Sequence, residues 1–184
     1  MILPKHPKPM NSGKCYALFV PIVAEEEGLA LVYERRSAKL RRQPSEICFP
    51  GGRMEEGETV VEAAVREMKE ELGVSPQEIY GETDFLIHRN GDIIYPVLGK
   101  ITPPYVPYPE EVEKVFSVPI SVLKSQHEAG VVLLGAELES PVSGVPEHYP
   151  FQRAKDRFSV YRWEGEVIWG ITGKITNHIL KYLD

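Results

Sequence analysis

The sequence is poor in cysteine, lacks a long apolar run and carries no excess of positive charge. Its two cysteines, Cys15 and Cys48, do not make a disulfide framework, and nothing near them has zinc-ligand spacing, so we expect two partly buried thiols. The most apolar segment, residues 15–24, is about half as long as a membrane span, and no apolar signal-peptide core follows the start. These absences exclude a disulfide scaffold, a zinc module and a transmembrane helix, and they predict a cytoplasmic protein.

The net charge of -6 gives the chain no overall attraction for nucleic acid or for an anionic membrane. We therefore predict neither as a partner, and a polyanionic ligand would need a local basic site. Hydrophobic residues make up 42% of the chain and charged residues 26%, as in an ordinary globular domain. The length predicts one domain over residues 15–184, preceded by a proline-rich N-terminal arm over residues 1–14.

Apolar periodicity predicts strands on both sides of one acidic helix, which indicates a single mixed α/β domain. The predicted elements are a hairpin of residues 15–23 and 29–36, a short extended segment over 46–52, the acidic helix, a hairpin turning at Asn90-Gly91, an ordered proline-rich loop over 102–111, a strand over 111–120, a helical turn over 122–128, a hairpin over 161–170, and a helix over 171–183 with Ile171, Ile175, Ile179 and Leu183 on one stripe. Residues 130–158 show only weak strand signals.

The most unusual segment is FPGGRMEEGETVVEAAVREMKEELGVS, residues 49–75. As a helix, its apolar stripe comprises Val61, Val65, Met68 and Leu72, while Glu67, Glu70 and Glu71 gather on a different face. Like charges at these spacings repel by roughly a few tenths of a kcal/mol per pair. The cluster is therefore either a solvated face or a site for a hard divalent cation, which takes carboxylate oxygens together with substrate phosphates.

This segment resembles the signature of the Nudix hydrolase family, G-x5-E-x7-R-E-U-x-E-E-x-G-U, at every defined position from Gly52 to Val74. The resemblance implies an α/β/α sandwich with a mixed β-sheet, in which the signature forms a loop-helix-loop. It also implies hydrolysis of a nucleoside diphosphate linked to another moiety, with Mg²⁺ or Mn²⁺. The residue roles it implies are metal ligands at Glu67, Glu70 and Glu71, a supporting salt bridge between Arg66 and Glu58, and a loop glycine at Gly52.

The residues just upstream, RRSAKLRRQPSEICFPGG (35–52), are similar to an extra motif of the coenzyme A diphosphatases within that family. Residues 109–120 and 167–175 also resemble segments of this group. The likeness implies cleavage of coenzyme A or acyl-CoA to 3′,5′-ADP and 4′-phosphopantetheine or its acylated form. Two alternatives stay open: the same chemistry on ADP-ribose, NADH or a nucleoside triphosphate, and a non-catalytic ligand sensor. Ser45 stands where this group usually has glycine, which leaves the first alternative open, whereas the intact glutamate set argues against the second.

A basic cluster before the signature could supply the local attraction for phosphate. It comprises Arg35, Arg36, Lys39, Arg41 and Arg42. Guanidinium forks suit phosphate oxygens, so we predict Arg36, Arg41 and Arg42 as substrate-binding residues together with Gly51 and Gly52; the alternative is a solvated basic turn.

Glu111, in the proline-rich loop, is a further candidate for the site. It could supply another metal ligand or the base that activates water, although most acidic loop residues do neither. The expected partner is a small-molecule substrate. The sequence leaves open whether the protein is a homodimer.

Overall fold

The computed structural model describes residues 13–126, 128–135 and 154–183. Within these ranges the strands are β1 (Cys15–Glu25), β2 (Gly28–Arg36), β3 (Ile47–Cys48), β4 (Gly51–Arg53), β5 (Glu78–Glu82), β6 (Leu86–Ile87), β7 (Ile93–Lys100), β8 (Val112–Pro119), β9 (Glu128–Leu134), β10 (Ala154–Trp163) and β11 (Glu166–Ile168). The helices are α1 (Val60–Leu72), α2 (Ile120–Ser125) and α3 (Gly170–Ile179). None of the helices in these ranges has the length and apolarity to cross a membrane.

The larger sheet of the described chain is mixed and has the order β3-β2-β1-β7-β5, with β4 paired to β1, β6 to β7 and β8 to β2. The predicted hairpin of β1 and β2 forms with Ile22 opposite Leu31. On its other side β1 runs parallel to β7, from Cys15 opposite Ile93 onwards. Strand β1 therefore lies inside the sheet, which explains why its sequence is an almost continuous apolar run.

The two faces of this sheet are covered by different helices. Ala17 and Phe19 of β1 pack in the same core as Met68 and Leu72 of α1. Alternate residues of the same strand, such as Val20, pack in a second core with α3. The result is the predicted α/β/α sandwich, since successive residues of a strand point to opposite faces.

A three-stranded sheet, β11-β10-β9, adds to the α3 side of the described fold. Its β10–β11 hairpin is the one predicted over residues 161–170, with Tyr161 opposite Ile168. Glu166 of this hairpin is only 4% exposed and forms ion pairs with Arg35 of β2 and with Lys114 of β8, the latter at 3.1 Å. A buried carboxylate therefore links the small sheet to the large one.

Several element boundaries differ from the prediction. Helix α3 ends at Ile179, and residues 180–182 form turns, so the predicted helix over 171–183 was too long. The helical turn predicted over 122–128 forms as α2, but it begins at Ile120 and ends at Ser125, and Glu128 already belongs to β9. Strand β5 was not predicted. Residues 1–12 of the predicted arm, and residues 136–153 of the weakly patterned segment, lie outside the described residues, and the division at residue 14 stays a prediction.

Candidate active site

Helix α1 begins and ends where its sequence provides caps. Thr59 accepts a hydrogen bond from the Glu62 N–H at 3.2 Å, and the Glu62 carboxylate accepts one from the Thr59 N–H at 2.9 Å, which makes a capping box. Gly73 follows the last turn with φ +65° and donates its N–H to the carbonyl of Lys69 at 3.0 Å. These two caps fix the directions in which the acidic side chains of the helix point.

The glycines of the preceding turn lie directly against two of these side chains. Strand β4 pairs with β1, which places Gly52 opposite Ala17. A Cβ atom at Gly52 would lie 2.4 Å from the Glu67 carboxylate, so only glycine leaves room for it. The N–H of Gly51 donates a 2.7 Å hydrogen bond to Glu71 Oε2. The backbone turn and the helix therefore meet through two carboxylates.

Arg66 connects this loop to the helix. Its Nε and Nη2 atoms donate to the two oxygens of Glu58 at 2.7 and 3.0 Å, which forms the predicted ion pair as a two-point fork. Its Nη1 donates to Glu67 Oε1 at 2.8 Å and to Glu70 Oε2 at 3.2 Å. The hydrogen bond from Arg66 lowers the pKa of Glu58 to about 2. One guanidinium therefore holds three carboxylates in fixed positions.

The three signature glutamates do not share one environment. Glu70 is exposed, Glu67 is partly buried, and Glu71 is only 3% exposed beside the buried Met68 and Leu72. The prediction that Glu71 stands on an acid face separate from the core was therefore wrong. The reason is angular: Glu71 follows Met68 by three residues, so the two side chains lie only about 60° apart around the helix. In the described residues no group of three His, Cys, Asp or Glu side chains is arranged to hold a metal.

Sequence reasoning missed a further carboxylate at this place, that of Glu34 of β2, which is buried with 0% exposure. Cys48 lies opposite Glu34 in the sheet, and its thiol donates a hydrogen bond to Glu34 Oε1 at 3.3 Å. Burial raises the pKa of both Glu34 and Glu71, and the charge of Glu34 raises the pKa of Glu71 further. The burial of Glu34 could have been predicted from LALVYERR, since Glu34 falls on the same strand face as Ala30 and Val32.

The proline-rich loop brings Glu111 to the same place. Its Val106 and Tyr108 N–H groups donate to the carbonyls of Leu72 and Glu71, each at 2.9 Å, which caps the end of α1. The carbonyl of Glu111 then accepts a 2.7 Å hydrogen bond from the N–H of Ser37. The Glu111 charge raises the pKa of Glu34 and of Glu67, in each case after the larger effect of burial.

The basic cluster divides into three parts. Arg36 is partly buried, and its charge lowers the pKa of Glu34 and Glu71 against the larger effect of burial, so it lies beside the acidic residues. Arg35 points to the opposite face and pairs with Glu166. Arg41 and Arg42 are exposed in the loop over residues 37–46 and form no hydrogen bond or ion pair with another described residue. Of the predicted substrate arginines, the structure brings only Arg36 to the carboxylates.

The donor set suits a hard divalent cation such as Mg²⁺ or Mn²⁺, because Glu67, Glu70, Glu71 and Glu111 offer only carboxylate oxygens. Burial raises the pKa of Glu67, and the charges of Glu70 and Glu111 raise it further against the opposing effect of Arg66, so several carboxylates lie close together at this place. The residues present therefore fit a cation by their chemistry.

The fold is an α/β/α sandwich, and the site combines a capped helix, a glycine turn braced to it and carboxylates from several elements. These features define an α/β-sandwich protein with an acidic site. The NUDIX domain matches residues 14–132, and the chain belongs to this family. Over 191 aligned residues it is 28% identical to Nudix hydrolase 3 of Caenorhabditis elegans, covering 98% of this chain and 79% of that protein.

Two further comparisons cover less of the chain. It is 34% identical over 116 residues to the peroxisomal coenzyme A diphosphatase NUDT7 of Mus musculus, covering 60% of this chain and 49% of that protein. Among solved structures, a MutT/nudix family protein from Enterococcus faecalis matches with a TM-score of 0.50 and 20% identity, over 64% of this chain and 46% of that one. The structural match supports the Nudix fold.

Proposed function

We propose that this Nudix hydrolase cleaves the phosphoanhydride of coenzyme A or acyl-CoA, which yields 3′,5′-ADP and 4′-phosphopantetheine or its acylated form. The observation that carries the proposal is the position of Arg36. This residue belongs to the upstream motif that resembles the coenzyme A diphosphatases, and it lies beside the carboxylates of the Nudix helix. The likeness to the mouse coenzyme A diphosphatase supports the same substrate, although it spans only about half of that protein.

The side chains of the site take complementary roles in this proposal. Glu67, Glu70 and Glu71 would hold Mg²⁺ or Mn²⁺, which when bound neutralises phosphate charge and acidifies a water molecule. Arg66, through its fork to Glu58, keeps Glu67 and Glu70 in position.

Two further residues complete the proposed machinery. Arg36 binds a phosphate oxygen of the substrate through its guanidinium. The Glu111 carboxylate is exposed and forms no hydrogen bond with another described residue, so its oxygens are available to accept the proton of the attacking water. The roles of Arg41, Arg42, Gly51 and Gly52 toward substrate are part of the same proposal.

A second candidate is the same hydrolysis on ADP-ribose, NADH or a nucleoside triphosphate. It is favoured by Ser45, which replaces the glycine usual in the motif and adopts φ +59°, a conformation that glycine accommodates best. The serine therefore keeps the backbone turn but adds a side chain to the loop. The low cysteine count supports a cytoplasmic location for either activity.

A substrate panel tests the proposal. Coenzyme A, an acyl-CoA, ADP-ribose, NADH and a nucleoside triphosphate would be incubated with the protein and Mg²⁺ or Mn²⁺, and products separated by chromatography. We expect the highest kcat/KM for coenzyme A or its thioester, with 3′,5′-ADP as a product. A clear preference for another substrate would exclude the coenzyme A proposal but keep the hydrolase. No turnover of any compound by the wild type would favour a ligand sensor.

A further inference from the structure

Glu34 is a buried carboxylate that the signature does not include. Its strand face is set by period two: Ala30 and Val32 pack in the core that contains Met68 and Leu72 of α1. Glu34 therefore points from the sheet toward the end of α1 that carries Glu71. It has no exposed surface. An ionisable side chain in such a place needs a partner that compensates for the loss of water.

Only one of the two Glu34 carboxylate oxygens has such a partner among the described residues. Oε1 accepts a hydrogen bond from the Cys48 thiol at 3.3 Å, and burial raises the pKa of that thiol, so the thiol remains protonated and can donate. Oε2 is buried and has no hydrogen-bond partner in the described part of the chain. Buried polar atoms are almost always partnered, so an orphaned carboxylate oxygen indicates a ligand or an ordered water.

The charges around Glu34 are unequal. The acidic groups that act on it or on its neighbour are Glu71, Glu67 and Glu111, and the cation beside it is Arg36. Arg36 does not bond Oε2, since that oxygen has no hydrogen-bond partner among the described residues, and the Nε of Arg36 is likewise buried without one. Glu34, Glu67, Glu71 and Glu111 therefore gather at one place, where the neighbouring cations are Arg36 and Arg66. A divalent cation with oxygen ligands would suit this group of four carboxylates and two guanidiniums.

We propose that Glu34 is a further carboxylate of the cation site, which takes the divalent cation or a water bound to it through Oε2. This inference rests on the proposed function, because that function requires Mg²⁺ or Mn²⁺ at the signature glutamates. It extends the site from the helix to the central sheet. It also explains why a charged residue occupies an otherwise apolar strand face.

Mn²⁺ binding to the full chain tests the proposal without reference to turnover. Affinity would be measured by titration calorimetry and by electron paramagnetic resonance of free Mn²⁺, for wild type, Glu34→Gln, Glu67→Gln and Glu56→Gln. Glu56 is an exposed residue of the same acidic segment and serves as the matched control. We expect Glu34→Gln to bind Mn²⁺ about 10- to 100-fold more weakly, as seen for residues that support metal ligands, and Glu56→Gln to bind like the wild type.

Thermal unfolding separates ligation from a structural role. In EDTA, Glu34→Gln should be at least as stable as the wild type, because it removes a buried charge, but it should gain less stability from added Mn²⁺. If Glu34→Gln does not fold, Glu34→Asp retains the charge with a shorter reach and should show the same loss of Mn²⁺ affinity. Unchanged affinity in the folded variant, with loss in Glu67→Gln, overturns this inference alone. Absence of Mn²⁺ binding by the wild type overturns the proposed function as well.

Discussion

Gly52 lies where a side chain would collide with the Glu67 carboxylate, at 2.4 Å from an added Cβ. We predict that Gly52→Ala lowers kcat by about 10²-fold, since a displacement of roughly 1 Å at a catalytic group has effects of this size. The fold should survive, because the colliding atoms are the far end of a side chain. Steady-state kinetics together with circular dichroism would measure both effects.

Gly135→Ala is the matched control, because an added Cβ there meets none of the described residues within 4 Å. It should retain wild-type kinetics. A Gly52→Ala enzyme with unchanged kcat would show that Glu67 does not need its present position.

Glu71 makes stability depend on pH in a direction opposite to that of most carboxylates. Burial raises its pKa, with Glu34 as the next cause, so the folded state binds the proton more tightly than the unfolded chain. The stabilisation is full below the unfolded pKa of about 4.3 and is lost as pH rises through the folded pKa. In EDTA, Glu71→Gln should therefore gain stability relative to the wild type as pH rises from 5 to 8. The gain should exceed about 1 kcal/mol, because each tenfold difference in proton affinity between the two states corresponds to about 1.4 kcal/mol.

Urea denaturation at several pH values would measure this difference. Glu56→Gln, at an exposed position, should show no such trend. A stability difference between Glu71→Gln and the wild type that stays constant across this range would contradict the predicted charge burial.

At this scale, the resemblance to the Nudix signature predicted the candidate site but not the burial of its members. The pattern identified Glu67, Arg66 and Glu58, because their contacts lie within one loop and one helix. The helix angle between Glu71 and Met68 places Glu71 beside the core, but the groups that complete its enclosure, Glu34 and the proline-rich loop, come from distant parts of the chain. The extent of its burial is therefore a tertiary property, of which the helix angle and the period of two in β2 are the local traces.

At the scale of elements, the positions of the carboxylates on helix α1 depend on the planar guanidinium fork of Arg66. Arg66→Lys keeps the charge but cannot bond both Glu58 oxygens while also reaching Glu67 and Glu70. We predict a fall in kcat/KM of about 10²-fold with helical circular dichroism unchanged, because the carboxylates lose their common position.

The control for this substitution is Lys69→Arg, a swap of the same two residue types at an exposed position of the same helix. It should leave kcat/KM unchanged. Wild-type kinetics in Arg66→Lys would mean that a point charge suffices and that the fork is dispensable.

The elements that the sequence predicted well are the apolar strands β1 and β2 and the start of α3, whose apolar residues fall on one stripe. Strand β5 was missed because four of its five residues are exposed, so its sequence has no alternation of buried and exposed positions. It becomes a strand by hydrogen bonding to β7, with Glu78 opposite Lys100. The strands of the N-terminal hairpin were therefore easier to predict from the sequence than this strand at the edge of the sheet.

At the scale of the molecule, Glu166 joins the two sheets through Arg35 and Lys114. Burial raises the pKa of Glu166, but the bonds from these two cations together lower it by more, so the pKa lies below its ordinary value. Its stabilisation is therefore present above the unfolded pKa and is lost as pH falls through the folded pKa. We predict that Glu166→Gln destabilises the protein by about 1–3 kcal/mol at pH 7, since hydrogen bonds to charged groups contribute about this much and both cations are partly exposed.

Glu128→Gln provides the comparison within the small sheet, because Glu128 pairs with Arg162 at an exposed position. An exposed pair contributes at most about 1 kcal/mol, so this variant should unfold nearly like the wild type in urea. Equal stability of the two variants would show that the link between the sheets contributes little.

Backbone hydrogen bonds join the two ends of the loop over residues 37–46 at the place where it leaves and re-enters the sheet. Arg36 donates its N–H to the carbonyl of Glu46 at 2.9 Å, and the N–H of Ser45 donates to the carbonyl of Arg36 at 3.2 Å. These bonds involve backbone atoms only, so they do not depend on which side chains the loop carries. The loop is therefore suited to act as an exchangeable segment, in which side chains can be replaced and ligand preference changed without moving the helix and its carboxylates.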